Sequence, residues 1–90
     1  MMNQHVILIR NNQIIARQID GEFVVLDINV GKLYKLNPTA KIIWRFLAKP
    51  RTVDEIVERI INEFDISEKI ARKEVSQFVN ENLGTLFLEK

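Results

Sequence analysis

Cysteine is absent from this chain, histidine and tryptophan occur once each, and there are only two prolines and three glycines. Without cysteine there is neither a disulfide nor a thiolate metal ligand, as a reducing compartment allows. A single imidazole, His5, lacks the converging partners that a metal site or a proton relay needs, so it is expected to be a solvated side chain near the terminus. The glycines are isolated, which leaves no glycine-rich phosphate loop, and no Ser or Cys nucleophile stands beside a histidine. Paired carboxylates fixed by a recognisable turn are missing as well. The expectation is a protein that is not an enzyme and carries no cofactor.

An excess of charge of one sign is lacking too. Thirteen Lys and Arg stand against twelve Asp and Glu, for a formal net charge of +1, so the chain has little general attraction for phosphate backbones. Long apolar runs are also missing. The opening "MMNQHVILIR" has four apolar residues in a row and no basic segment before them, which fits neither a signal peptide nor a membrane span. A cytoplasmic protein with no nucleic acid and no membrane partner is expected. Ninety residues at 47% hydrophobic content, with no repeat and no linker-like stretch, predict one domain over 1–90.

What is present divides into strands and then helices. Short runs rich in β-branched and aromatic residues predict strands near 13–19, 22–27 and 32–36. Asp20-Gly21 suits a two-residue type I′ hairpin, because both central positions of that turn need positive φ. A second turn falls around Asn29 and Gly31. Three sequential strands on short turns make an antiparallel meander, with Val6 to Ile9 as a candidate fourth strand.

From Asn37 onward the period changes to that of helices. Asn37 caps the first, Pro38 occupies its first position, and Ala40, Ile43, Trp44 and Leu47 form its apolar stripe. Thr52 and Glu55 make a capping box ahead of Val53, Ile56, Val57, Ile60 and Phe64. Ser67 caps a third helix striped by Ala71, Val75, Phe78, Val79 and Leu83, with Gly84 as its left-handed stop. The tail "TLFLEK" reads as extended. The predicted fold is α+β: a three-stranded antiparallel β-meander followed by a three-helix bundle, with winged helix-turn-helix proportions.

Sequential pairing makes the strand at 32–36 an edge. With Tyr34 and Leu36 turned to the core, Leu33 and Lys35 face the other way, and the outer hydrogen-bonding side is protected by little beyond lysines. Such an edge suits β-augmentation, in which main-chain hydrogen bonds bind a peptide and side-chain pockets select it.

The stretches "VVLDINVGKLYKLNPTAKIIWRFL", "TVDEIVERIINEFDIS" and "ARKEVSQFVNENLGTL" together resemble the PqqD-like family of RiPP recognition elements. The resemblance rests on Leu26-Asp27, Gly31, Tyr34-x-Leu36-Asn37, Ala40, Ile43-Trp44, Thr52-x-x-Glu55-Ile56 and Leu83-Gly84 in order, from about residue 13 to the C-terminus. It implies a leader-peptide escort, a non-catalytic peptide chaperone that binds the leader of a ribosomally made precursor and presents it to a modifying enzyme. That enzyme would be a radical SAM enzyme, a leader peptidase or a lasso-peptide maturation enzyme. Trp44 and the "AKPR" that follows the first helix depart from the variant serving PQQ biosynthesis, and an aromatic at Trp44 looks more like the lasso-peptide branch.

By position, the resemblance implies a peptide groove between Lys32, Leu33, Tyr34, Lys35 and Leu36 on one side and Arg72, Val75, Ser76, Val79 and Asn80 of the third helix on the other. Val75 and Val79 are expected to divide their surface between core and groove. A second reading is a winged-helix DNA-binding domain that presents Lys69, Arg72, Lys73, Gln77 and Asn80, but Glu68, Glu74 and Glu81 interleave with these cations.

Overall fold

The computed structural model describes residues 6–90, so His5 lies outside the described residues. The chain runs β1 (Ile7–Arg10), β2 (Ile14–Ile19), β3 (Glu22–Asp27), β4 (Lys32–Leu36), α1 (Pro38–Phe46), β5 (Arg51–Thr52), α2 (Val53–Glu63), α3 (Glu68–Asn82) and β6 (Phe87–Glu89). The antiparallel meander has the order β2-β3-β4, and the three helices follow it as predicted. Asp20 and Gly21 take φ values of 48° and 80°, the left-handed pair that a type I′ turn demands. At the next hairpin, Gly31 has φ 67° and its N–H donates to the Asp27 carbonyl at 2.8 Å, while the Asp27 carboxylate accepts from the N–H of Asn29 at 3.0 Å. An aspartate that folds back on its own turn explains why this side chain can be buried without a charged partner.

The helix starts also follow the sequence. Asn37 Oδ1 accepts from the N–H of Ala40 at 2.8 Å, and Pro38 holds the first helical position. Thr52 and Glu55 form the reciprocal capping box, and Ser67 Oγ accepts from the N–H of Ile70 at 3.3 Å. Ala40, Ile43, Trp44 and Leu47 are all buried, as are Val53, Ile56, Val57 and Ile60 of α2. Phe64 is half-buried just past the end of that helix.

Two expectations need correction. The segment near Val6 to Ile9 does form a strand, but it does not extend the meander. β1 instead lies at the centre of a second three-stranded sheet, β5-β1-β6, pairing Ile7 with Thr52 and Ile9 with Leu88. Gly84 does not close α3 directly, since Leu83 already has extended backbone at the cap and is exposed. Its positive φ of 88° belongs to the turn into β6, where its N–H donates to the Phe87 carbonyl at 2.7 Å.

That turn delivers the most deeply placed aromatic side chain. Phe87 is fully buried, 6.1 Å from Trp44 and edge-on to Phe78 at 5.5 Å between ring centroids. Leu8 of β1 and Leu86 join the same cluster, so both ends of the described chain close over one core shared by sheet and helices.

Candidate functional site

β4 is an edge of the meander, with β3 on one side and no described strand on the other. Which of its backbone groups are free follows from the turn between β2 and β3. A two-residue loop makes Ile19 and Glu22 the closing hydrogen-bonded pair, and bonded and non-bonded pairs alternate along an antiparallel ladder. Glu22, Val24 and Leu26 therefore turn their backbone groups to β2, and Phe23, Val25 and Asp27 turn theirs to β4. Their partners there are Leu36, Tyr34 and Lys32. The N–H and C=O groups of Leu33 and Lys35 must point outward. Apart from the ladder, the described residues make no hydrogen bond to them.

The side chains of β4 alternate as its edge position requires. Tyr34 and Leu36 are half-buried and pack on the core, with the Lys32 ammonium 5.1 Å from the centroid of the Tyr34 ring. Leu33 and Lys35 are on the opposite face. Leu33 is 58% exposed, and Lys35 reaches Glu22 of the neighbouring strand at 3.1 Å. Both ends of that ion pair are open to solvent, so it adds little to stability.

Beyond the end of β4, Asn37, Thr39 and Ala40 face α3 across a shallow concavity of about 230 Å³. The α3 residues lining it are Glu74, Gln77, Phe78 and Glu81. One part of the expected wall is corrected. Val75 and Val79 are fully buried and have no surface to share with a groove. Arg72, Ser76 and Asn80, spaced four apart, lie on the other flank of the helix. Arg72 bonds Asp54 at the start of α2 at 2.8 Å and Glu68 at 3.6 Å, and the Asp54 hydrogen bond raises its pKa above the ordinary arginine value. The buried stripe has the expected period, and Arg72, Ser76 and Asn80 border it on the flank away from this concavity. Phe78 was the usable signal: an aromatic at the margin of the stripe, half-buried, marks the flank where α3 leaves the core.

A second concavity, of about 430 Å³, opens on the same stretch of chain from the other side. Leu36, Asn37, Pro38 and Lys41 line it together with Phe23, and the Lys41 ammonium sits 5.4 Å from the Phe23 ring centroid while donating to Gln18 at 2.9 Å. The strand-to-helix step at Leu36-Asn37-Pro38 thus has a hollow on either flank. Among the described residues no group of His, Cys, Asp and Glu could hold a metal ion, and no helix is long and apolar enough to cross a membrane.

Residues 22–83 match the family described as coenzyme PQQ synthesis protein D (PqqD). The chain belongs to the PqqD family. Among solved structures it is similar to "TbiB1 in complex with the TbiA(beta) leader peptide", with 22% identity, a TM-score of 0.71, and coverage of 81% of this chain and 85% of that one. It is also similar to "lasso peptide synthetase B1 complexed with the leader peptide", with 20% identity, a TM-score of 0.72, and coverage of 90% and 96%. No curated protein sequence matches the chain. At these identities the two structures share the PqqD fold with this chain, consistent with the α+β architecture above.

Proposed function

We propose that this PqqD-family protein binds the leader segment of a ribosomally made precursor peptide as a fourth strand on β4, and hands it to a modifying enzyme without doing chemistry itself. The observation that carries this reading is the outward pair of N–H and C=O groups on Leu33 and Lys35, unpaired at the only side of β4 that the meander leaves open. Antiparallel addition there gives main-chain bonds, while the hollows beside Asn37 take alternate side chains. Both similar structures are named as complexes with leader peptides, which supports the same use of the fold here. The lasso-peptide name of one of them, together with Trp44, favours a lasso-type pathway and a leader peptidase as the enzyme partner over a radical SAM enzyme. A cytoplasmic site of action accords with a ribosomally made substrate.

The groove of this proposal has Lys32, Leu33, Tyr34, Lys35 and Leu36 as one wall and Glu74, Gln77, Phe78 and Glu81 as the other. A DNA-binding use of α3 is disfavoured, because Arg72 is engaged by two carboxylates and Gln77 donates to Glu81 at 3.1 Å.

The test is a titration of the isotope-labelled protein with the leader of a precursor encoded beside its gene. Amide shifts at residues 32–36 and an affinity of roughly micromolar to high nanomolar are expected, since the leader loses chain entropy on docking. Leu33→Pro removes an outward donor and should stay folded while losing the peptide. A folded Leu33→Pro protein that binds the leader as tightly as wild type, with no shifts at 32–36, would sink the proposal.

A further inference from the structure

A strand added to β4 continues rows of side chains already laid across the meander. On the face turned from the core, pairing sets Ile15, Leu26 and Leu33 side by side in one row. Leu26 in the middle is half-buried, and Leu33 at the open end is 58% exposed. The next row on this face is Arg17, Val24 and Lys35, and its open end is a charge already met by Glu22. The edge therefore offers one apolar position and one cationic position on its outer face, at the two residues whose backbone groups are free.

We infer that the bound leader segment carries an apolar residue, β-branched or aromatic, directly opposite Leu33. This rests on the reading of β4 as the peptide site. Because only Leu33 and Lys35 direct N–H and C=O outward, a slip of one residue would forfeit the ladder bonds. A slip of two would set the apolar residue against Lys35, in the row with charged ends. In the remaining register the new side chain has its Cβ about 5 Å from that of Leu33, and it extends the Ile15–Leu26–Leu33 row to a fourth strand while covering the exposed leucine. The residue next to it in the leader faces the opposite way, toward Tyr34 and the hollows, so the outer-face choice is independent of whatever fills them.

The experiment selects binders from a displayed library of random linear peptides on the full chain and scores docking at β4 by amide shifts at 32–36. Peptides that dock there are expected to share one β-branched or aromatic position, placed against Leu33 by nuclear Overhauser contacts. Leu33→Thr, whose β-branched side chain suits a strand but replaces apolar surface with a hydroxyl, should weaken them roughly three- to tenfold, and Leu33→Val, β-branched and apolar, should not. Peptides that shift 32–36 yet place a charged or small polar residue against Leu33, or that bind Leu33→Thr as tightly as wild type, would overturn the inference and leave the peptide site standing. A selection in which no binder shifts 32–36 would overturn both.

Discussion

The meander has two edges, β2 and β4, and only β2 has any of its outward groups capped among the described residues. By the same alternation that frees Leu33 and Lys35, the backbone groups of Ile14, Ala16 and Gln18 point outward from β2. Of these six N–H and C=O groups, two are already taken. The N–H of Ile14 donates to the Asn11 carbonyl at 3.1 Å, and the Ala16 carbonyl accepts from the Arg17 guanidinium at 2.8 Å. Gln18, at the third position, is tied by its side chain to Lys41. An edge with part of its hydrogen-bonding capacity already used is a poorer template for another chain, whereas the outward groups of β4 meet no such caps among the described residues. One sheet is thus partly capped on one side and uncapped on the other, and the difference is made by a turn residue and one arginine rather than by strand propensity.

The comparison depends first on the core that holds both edges in place. Trp44 is 2% exposed and lies against Phe87, so Trp44→Ala should cost about 3–5 kcal/mol and remove both edges together. Urea denaturation measures it. An unchanged midpoint would mean that the indole is not part of the packing that orders β4. Phe87→Ala should cost about as much, because it empties the same cluster.

A sharper break separates the two faces of β4 itself. Tyr34 donates inward to β3 and Leu33 outward, so Tyr34→Pro should leave a ladder carbonyl without its donor and cost about 1–3 kcal/mol, while Leu33→Pro changes stability far less. Equilibrium denaturation of the two variants decides it. The reverse order of stabilities would invert the derived alternation and move the free groups to Lys32, Tyr34 and Leu36.

How much of this could be read from the sequence depends on whether the signal was local. The Asp20-Gly21 turn, the Asn37 and Ser67 caps and the Thr52–Glu55 box are contacts within a few residues, and the meander with its open edge follows from them. The second sheet was not legible. β1 pairs with a two-residue strand some forty positions away and with the C-terminal tail, and nothing in "HVILIR" or "TLFLEK" names a partner. Phe87 went unrecognised as a central core residue for that reason. The flank of α3 failed differently, since a stripe of Ala71, Val75 and Val79 fixes which side is buried but not which neighbour stands on either margin.

The seam between β4 and α1 is held by one side chain, so a moderate effect is expected there. Asn37→Ala should cost about 1 kcal/mol by leaving the Ala40 N–H without its acceptor. Hydrogen exchange should quicken in the first turn of α1 and at Leu36, and not along β2. Uniform quickening across both edges would show that the cap supports the whole fold and not the open edge in particular.

The smallest effect distinguishes the two flanks of α3. Arg72 is half-buried, but its ion pairs with Asp54 and Glu68 are reached by water, so Arg72→Gln should leave the denaturation midpoint unchanged within error. On the proposed placement it should also leave leader binding unchanged, because Arg72 pairs with Asp54 of α2 while the hollow beyond the end of β4 is lined by Glu74, Gln77, Phe78 and Glu81. Binding of a leader should therefore shift the resonances of those four residues along with 32–36, and spare Arg72, Ser76 and Asn80. Phe78 carries the contrast best, since its ring is half-buried against Phe87 and any peptide group entering the hollow alters the ring-current environment of both. Shifts confined to Arg72, Ser76 and Asn80 would restore the wall expected from the sequence and place the peptide outside the hollow at Asn37, Thr39 and Ala40.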